Sequence, residues 1–132
     1  MTSCSTSFVQ YAAITGLEDC EPEIEEMVKA FKERRDYLHA RLTAMPGITC
    51  TLADGAFYLM PHIDAYLGKS YNGRKIETSF DFAAFLLEQA HIAVVAGDAF
   101  VMPGTVRLAY ATSMENIKKG MDAMEKALAL LK

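Results

Sequence analysis

The 132-residue sequence has no tryptophan and only three cysteines, Cys4, Cys20 and Cys50. The cysteines are odd in number and far apart, and none belongs to a Cys-x-x-Cys pair. The sequence therefore signals neither a disulfide framework nor a zinc site. The histidines also lack the spacing of metal ligands. We expect a protein of the reducing cytoplasm with no metal site.

Long apolar runs and an excess of positive charge are also missing. No stretch approaches the roughly 18 consecutive apolar residues of a membrane-spanning helix, and the first residues lack the basic-then-apolar order of a secretory signal. The formal net charge is -4, so the composition gives no basic surface for a polyanion. We therefore expect no partnership with a membrane or with nucleic acid.

Two familiar catalytic motifs are absent as well. The sequence contains no Gly-x-Ser-x-Gly segment of the kind that presents a nucleophilic serine. Gly68-Lys69-Ser70 resembles the end of a phosphate-binding loop, but the earlier glycine of that loop is replaced by Ile63. These absences argue against a serine hydrolase and against a P-loop nucleotide site.

What the sequence does contain is typical of one globular domain, with 52% apolar and 23% charged residues. Helical spacing predicts a short helix from Phe8 that Gly16 closes, a long helix from Pro22 to Met45, and two later helices. The later helices begin at a Thr78 or Ser79 cap and at a capping box formed by Thr112 and Glu115. Strands are predicted at 48–52 and 56–60 as a hairpin, at 92–95 and at 105–111. Three or four strands with three substantial helices indicate an α/β fold, a two-layer sandwich.

The strand at 105–111 contains the best candidate site residue, Arg107. Val106, Leu108 and Tyr110 alternate along it and are expected to face the core, so Arg107 would stand on the opposite face among small residues, beside Thr105. An arginine fork matches a carboxylate with two charge-assisted hydrogen bonds, which lysine cannot reproduce. The alternative is the ordinary surface arginine that is solvated or paired within its own fold.

A second candidate region is the turn before the strand that starts near residue 56. Gly55 and Ala56 are small enough to let another group approach the backbone. Phe57 could then form one wall of an apolar pocket.

Three segments, Gly55-Ala56-Phe57-Tyr58-Leu59-Met60-Pro61, Val95 to Phe100, and Val106 to Ser113, occur in an order that resembles a known family. They are similar to the C-terminal small domain of class I, aspartate-type aminotransferases, which are pyridoxal-phosphate enzymes of fold type I. The resemblance covers nearly the whole chain. It implies that residues 1–20 are the end of a preceding large domain or an inter-domain segment, and that 21–132 are the small domain.

The resemblance implies a role for two residues: Arg107 binds the α-carboxylate of the amino-acid or 2-keto-acid substrate, and Phe57 is the substrate-binding aromatic at the domain interface. It also implies that the loop from Gly97 to Phe100 moves when the domains close. The sequence departs from the family at Ala96, where proline is usual, and at Val101-Met102, which replace a turn containing glycine. These changes concern the shape of the loop.

No catalytic or cofactor-binding residue is expected in this stretch. In the family, the lysine that binds pyridoxal phosphate belongs to the large domain, which would be part of the same chain in a cytoplasmic homodimer. The lysines present here fall on wet helix faces or in a polar loop, so we expect no transamination by this chain alone. A stand-alone carboxylate-binding regulatory module is the alternative, and a purely structural dimerisation domain is a third interpretation.

Overall fold

The computed structural model describes residues 4–132. The chain forms two compact units, the first ending at Lys32 and the second comprising Glu33–Lys132. In chain order the elements are α1 Ser7–Glu18, α2 Glu21–Ala44, β1 Tyr58–Leu59, β2 Ser70–Tyr71, β3 Arg74–Lys75, α3 Ser79–Ala90, β4 Val95–Ala96, β5 Val106–Ala109 and α4 Met114–Leu128. Short 3-10 turns lie at Asp64–Tyr66 and Gly97–Phe100. None of the helices in this part of the chain combines the length and apolar character needed to cross a membrane.

The first unit contains α1 and the beginning of α2. Helix α1 continues past Gly16 to Glu18, and the Asp19 amide then donates to the Thr15 carbonyl, so the prediction that Gly16 closes this helix is wrong. A glycine ends a helix only where the backbone turns left-handed, and Gly16 is not among the positive-φ glycines of the described chain. The predicted boundary between residues 20 and 21 falls at the start of α2 and stays a prediction.

Helix α2 buries apolar residues only in its second half. Leu38, Leu42 and the following Met45 are buried, whereas Ile24 and Met27 are exposed. The helix ends at Ala44, before Pro46-Gly47, where Gly47 has a φ of 78° that favours glycine. This half of α2 contributes to the core of the second unit.

The principal sheet is antiparallel, with β5 in the centre and β1 and β4 on its flanks. The register sets Tyr58 opposite Ala109 and Val95 opposite Arg107. The predicted hairpin of 48–52 with 56–60 is therefore wrong, because β1 pairs with β5 and the 48–52 segment forms only a single bridge from Thr49 to His62. Local alternation predicts that a strand exists but cannot tell which strand lies beside it.

The N-cap of α3 is Thr78, one of the two residues that the sequence predicts for it. The Thr78 hydroxyl accepts from the Asp81 amide while the Asp81 carboxylate accepts from the Thr78 amide, which completes a capping box. The capping box predicted for α4 is wrong by one residue. Ser113, not Thr112, is the N-cap, and its hydroxyl accepts from the Asn116 amide at 3.1 Å.

The fold class is confirmed as a small sheet packed with helices. Alternating residues in β5 and just after it are buried: Val106, Leu108 and Tyr110. One face of α4 is buried too, through apolar residues at helical spacing: Ile117, Met121, Met124, Leu128 and the following Leu131. The polar segment that begins at Gly68-Lys69-Ser70 contains a small hairpin of β2 with β3.

Candidate functional site

Arg107 lies on the central strand β5, on the face opposite the buried Val106 and Leu108. Antiparallel pairing places directly opposite residues on the same face of a sheet. Val95, opposite Arg107, and Tyr58, opposite Ala109, therefore share the face of Arg107. The side chain of Arg107 is half-buried there.

Two aromatic rings border the Arg107 guanidinium. Its central carbon Cζ lies 4.7 Å from the centroid of the Phe100 ring and 5.4 Å from that of Tyr58. The expectation of small neighbours is wrong, because the pairing of β1 with β5 brings in Tyr58 and the turn after β4 brings in Phe100. Thr105, expected on the open face, is buried with its hydroxyl donating to the Met102 carbonyl at 2.7 Å.

No carboxylate within residues 4–132 pairs with Arg107, and no hydrogen-bond acceptor of that range contacts its guanidinium. Several other arginines, in contrast, already form ion pairs with acidic side chains. These pairs are Arg35 with Asp36 at 2.7 Å, Arg41 with Asp122 at 2.8 Å, and Arg74 with Glu88 at 3.1 Å. Arg107 therefore presents hydrogen-bond donors that its own described fold does not use.

Phe57 lies next to the same cluster. Its side chain is 54% exposed, and its ring meets the Tyr58 ring edge to face, with centroids 5.9 Å apart and planes at 88°. Tyr58 thus contacts both residues that the sequence selects, Arg107 and Phe57. Phe57 and Arg107 are thus linked through the Tyr58 ring.

The turn before β1 is fixed by Tyr110. The Tyr110 amide donates to the Phe57 carbonyl at 2.8 Å, and its buried hydroxyl donates to the Ala56 carbonyl at 2.9 Å. Burial raises the pKa of Tyr110 above its ordinary value. Ala56 has a φ of 63°, and two hydrogen bonds from one residue to adjacent carbonyls keep the turn in that left-handed conformation.

The turn that supplies Phe100 is anchored at its start. The Gly97 amide donates to the Thr105 carbonyl at 2.9 Å, and the Gly97 carbonyl accepts from the Met102 amide at 3.0 Å. Asp98 is bound to Ser79 at the beginning of α3. The position of Phe100 is therefore set by contacts to Thr105, just before β5, and to Ser79 of α3.

The described residues do not fit a covalently bound pyridoxal phosphate. Such a group needs a lysine in a setting that disfavours its charge, and every lysine of the chain is exposed except Lys69. Lys69 is half-buried, with its ammonium 5.2 Å from the Tyr66 ring centroid. Residues 4–132 also contain no cluster of acidic, histidine or cysteine side chains able to bind a metal ion. The unpaired N–H donors of Arg107 are of the kind that an anion accepts from.

The ring contacts of Tyr58 and Phe100 do not follow from the sequence. The sequence predicts Tyr58 in a strand and Phe100 in a loop, and no local pattern links either residue to Arg107. The pairing of β1 with β5 is the fact that connects Tyr58 to Arg107, and no local pattern contains it. For Phe100 the only signal is its closeness in sequence to the arginine strand.

Comparison with known proteins identifies the class. Residues 1–124 match the family described as aminotransferase class I and II. The chain therefore belongs to the class I and II aminotransferase family.

Particular relatives agree with that assignment. An aspartate aminotransferase of Rhizobium meliloti strain 1021 is 37% identical over 127 residues, which are 96% of this chain and 31% of the relative. A probable aspartate/prephenate aminotransferase of Aquifex aeolicus is 38% identical over 93% of this chain and 30% of its own length.

Solved structures give the same result. The crystal structure of an aspartate aminotransferase from Rhizobium meliloti superposes with a TM-score of 0.95 at 36% identity, covering 99% of this chain and 33% of that one. An alanine aminotransferase from Pyrococcus furiosus superposes with a TM-score of 0.84 at 32% identity, covering 96% of this chain and 30% of that one. The chain thus spans about a third of the length of the relatives it matches.

Proposed function

We propose that this chain is the C-terminal small domain of an aspartate-type, pyridoxal-phosphate-dependent aminotransferase. The whole enzyme would transfer an amino group between an amino acid and a 2-keto acid. In it, Arg107 binds the substrate α-carboxylate and Phe57 forms an apolar wall beside the substrate. The large domain of the same chain, and a second subunit in a cytoplasmic homodimer, would be its partners.

One observation supports this function above the others: the half-buried guanidinium of Arg107 has no acid partner among residues 4–132 and lies on the sheet face opposite the buried Val106 and Leu108. Most arginines in that setting would be paired or solvated. A carboxylate ligand would fit the planar fork with two charge-assisted hydrogen bonds. Membership of the aminotransferase family supplies a carboxylate substrate of the appropriate kind.

Pyridoxal phosphate would supply the electron sink for the reaction when bound to the large domain. The residues described here would contribute binding and orientation. A two-bond contact to the carboxylate fixes the direction of the substrate as well as its position, which matters because small misplacements of a reacting group are costly in rate.

A domain replacement tests the proposal. The C-terminal third of the Rhizobium meliloti aspartate aminotransferase is exchanged for this chain, giving what we call the domain-replaced enzyme. We expect measurable transamination of a dicarboxylic amino acid. A folded, cofactor-loaded replacement with no turnover and no effect of substrate on the cofactor absorbance would contradict the proposal.

The isolated chain provides the matching control. With pyridoxal phosphate and a dicarboxylic amino acid it should show no turnover, because no described lysine is buried. A borohydride-fixed cofactor on one of its lysines, together with turnover, would overturn the assignment of cofactor chemistry to the large domain. Carboxylate binding by the isolated chain with an inactive replacement would favour the regulatory module instead.

A further inference from the structure

The guanidinium of Arg107 is contacted by rings from both sides of its strand. Tyr58 belongs to β1 and Phe100 to the turn that follows β4, and these two strands flank β5. The guanidinium carbon lies 5.4 Å from one ring centroid and 4.7 Å from the other. Two separate segments of the chain therefore converge on one cation.

The chemistry of these contacts leaves the arginine able to bind a ligand. A cation over an aromatic ring is attracted by the negative face of the ring, which is not a hydrogen-bond acceptor in the usual sense. The N–H donors of the fork remain unpaired within the described residues. A carboxylate in the place of either ring would occupy those donors and compete directly with a substrate carboxylate.

The rings also limit the motion of the side chain. A long arginine side chain on an open strand face has many rotamers and loses that freedom when it binds a ligand. Contacts already present before binding reduce this cost, which is the general advantage of a preorganised site. Phe100 is 44% exposed. Its ring therefore contributes little to the core, and core packing explains little of its presence at this position.

The segments that supply the rings are themselves fixed. Tyr58 is opposite Ala109 in the ladder between β1 and β5. The turn of Phe100 is bound to Thr105 through the Gly97 amide and to Ser79 through Asp98. The two rings are therefore set by backbone and side-chain hydrogen bonds that do not involve Arg107.

We propose that Tyr58 and Phe100 are positioning residues that hold the Arg107 guanidinium in place for a substrate carboxylate while leaving its donors free. We call the pair the aromatic clamp. This inference rests on the proposed function of Arg107. The clamp residues touch the arginine and act through it.

The first test measures the contact itself, in the isolated 132-residue chain. The Nε–Hε resonance of Arg107, identified by its loss in Arg107→Lys, should be shifted upfield by the ring currents. The shift should decrease in Phe100→Leu and in Tyr58→Leu, and should persist in Phe100→Tyr and Tyr58→Phe. An unshifted Arg107 resonance, or one that Phe100→Leu leaves in place, would overturn the clamp.

The second test measures the consequence, in the domain-replaced enzyme. Loss of a contact that positions the arginine equally for substrate and transition state should raise KM and leave kcat within about twofold. We expect KM for the amino acid and the keto acid to rise about fivefold in Phe100→Leu, which corresponds to about 1 kcal/mol at 1.4 kcal/mol per tenfold. Phe100→Tyr and Tyr58→Phe should restore the original KM.

A matched control is Phe80→Leu, because Phe80 is an exposed phenylalanine of α3 and the rings at the Arg107 guanidinium are those of Tyr58 and Phe100. It should change neither KM nor the Arg107 resonance. If Arg107→Lys alters KM while Phe100→Leu and Tyr58→Leu do not, the clamp is wrong and the proposed function stands. If Arg107→Lys itself leaves the kinetics unchanged, the assignment of Arg107 to the substrate carboxylate is wrong, whereas the proposed function as a whole fails only if the domain-replaced enzyme has no turnover.

Discussion

Asp98 and Ser79 hydrogen-bond to each other in both directions. The Ser79 amide donates to Asp98 Oδ2 at 3.1 Å, the Asp98 amide donates to Ser79 Oγ at 3.1 Å, and the Ser79 hydroxyl also donates to Asp98 Oδ2. Ser79 is the first residue of α3 and is fully buried. The Ser79 amide has no hydrogen-bond acceptor within α3, so Asp98 supplies one. The same contact anchors the turn of Phe100.

Removal of that carboxylate should destabilise the fold. We expect Asp98→Ala to lower the free energy of unfolding by about 1 to 2 kcal/mol, because a buried hydroxyl and a helix-end amide lose their acceptor. Chemical denaturation of the isolated chain measures this. Asp98→Asn keeps one acceptor oxygen and should lose less. Equal stability of Asp98→Ala and the unsubstituted chain would show that the contact contributes nothing.

Gly97 has no room for a side chain. A Cβ atom there would lie 2.0 Å from Thr105 Oγ1 and 2.4 Å from the Met102 carbonyl oxygen. Gly97→Ala should therefore cost about 1 to 3 kcal/mol, as overpacking usually does, and should displace the turn of Phe100. Gly55→Ala is the matched control, since a Cβ at Gly55 meets nothing within 4 Å. Similar stability of the two variants in denaturant would contradict this packing argument.

Val101 adopts a left-handed backbone conformation with a φ of 57°. A β-branched residue is strained there, and the 90% exposure of Val101 means that its side chain gains little from burial. Val101→Gly should relieve the strain and raise the free energy of unfolding by about 0.5 to 1 kcal/mol after the entropic cost of glycine. Met102→Gly, without a positive φ, should give no such gain. Destabilisation by Val101→Gly would show that the strain is not significant.

The Asp81 carboxylate should make stability depend on pH in the acid range. The Thr78 hydroxyl, followed by the Glu77 and Thr78 amides, lowers the pKa of Asp81 below its ordinary value of 3.8. A carboxyl with a lowered folded-state pKa stabilises the fold above its unfolded pKa and loses that contribution as the pH falls through the folded value. The stability gap between the unsubstituted chain and Asp81→Asn should therefore be constant near neutral pH and shrink in acid. A gap independent of pH would exclude the contribution of this charge.

The sequence predicted the parts of the fold that depend on neighbouring residues. The Thr78 cap of α3, the apolar face of α4 and the buried alternation of Val106, Leu108 and Tyr110 all follow from local spacing. The sequence predicts Thr112 as the N-cap of α4, one residue before the actual cap Ser113, because both residues have a side-chain hydroxyl. Such patterns involve residues a few positions apart, so the chain itself fixes their geometry.

The pairing of strands that are distant in the sequence could not be predicted from local spacing. The segment at 48–52 alternates like a strand, yet β1 pairs with β5, and Tyr110 binds the carbonyls of Ala56 and Phe57 from far along the chain. The same pairing brings Tyr58 to Arg107. Arg107 could thus be selected from sequence, whereas its aromatic neighbours depend on contacts that no local pattern contains.

The most direct test of the central claim is the kinetics of Arg107→Lys in the domain-replaced enzyme. Lysine keeps the charge but loses the two-bond fork, so kcat/KM for amino and keto acid should fall about 10- to 100-fold, as expected for one or two charge-assisted hydrogen bonds. Arg74→Lys, at an exposed ion pair with Glu88, is the control and should leave kcat/KM unchanged. If kcat/KM of Arg107→Lys equals that of the unsubstituted enzyme, Arg107 does not bind the substrate carboxylate.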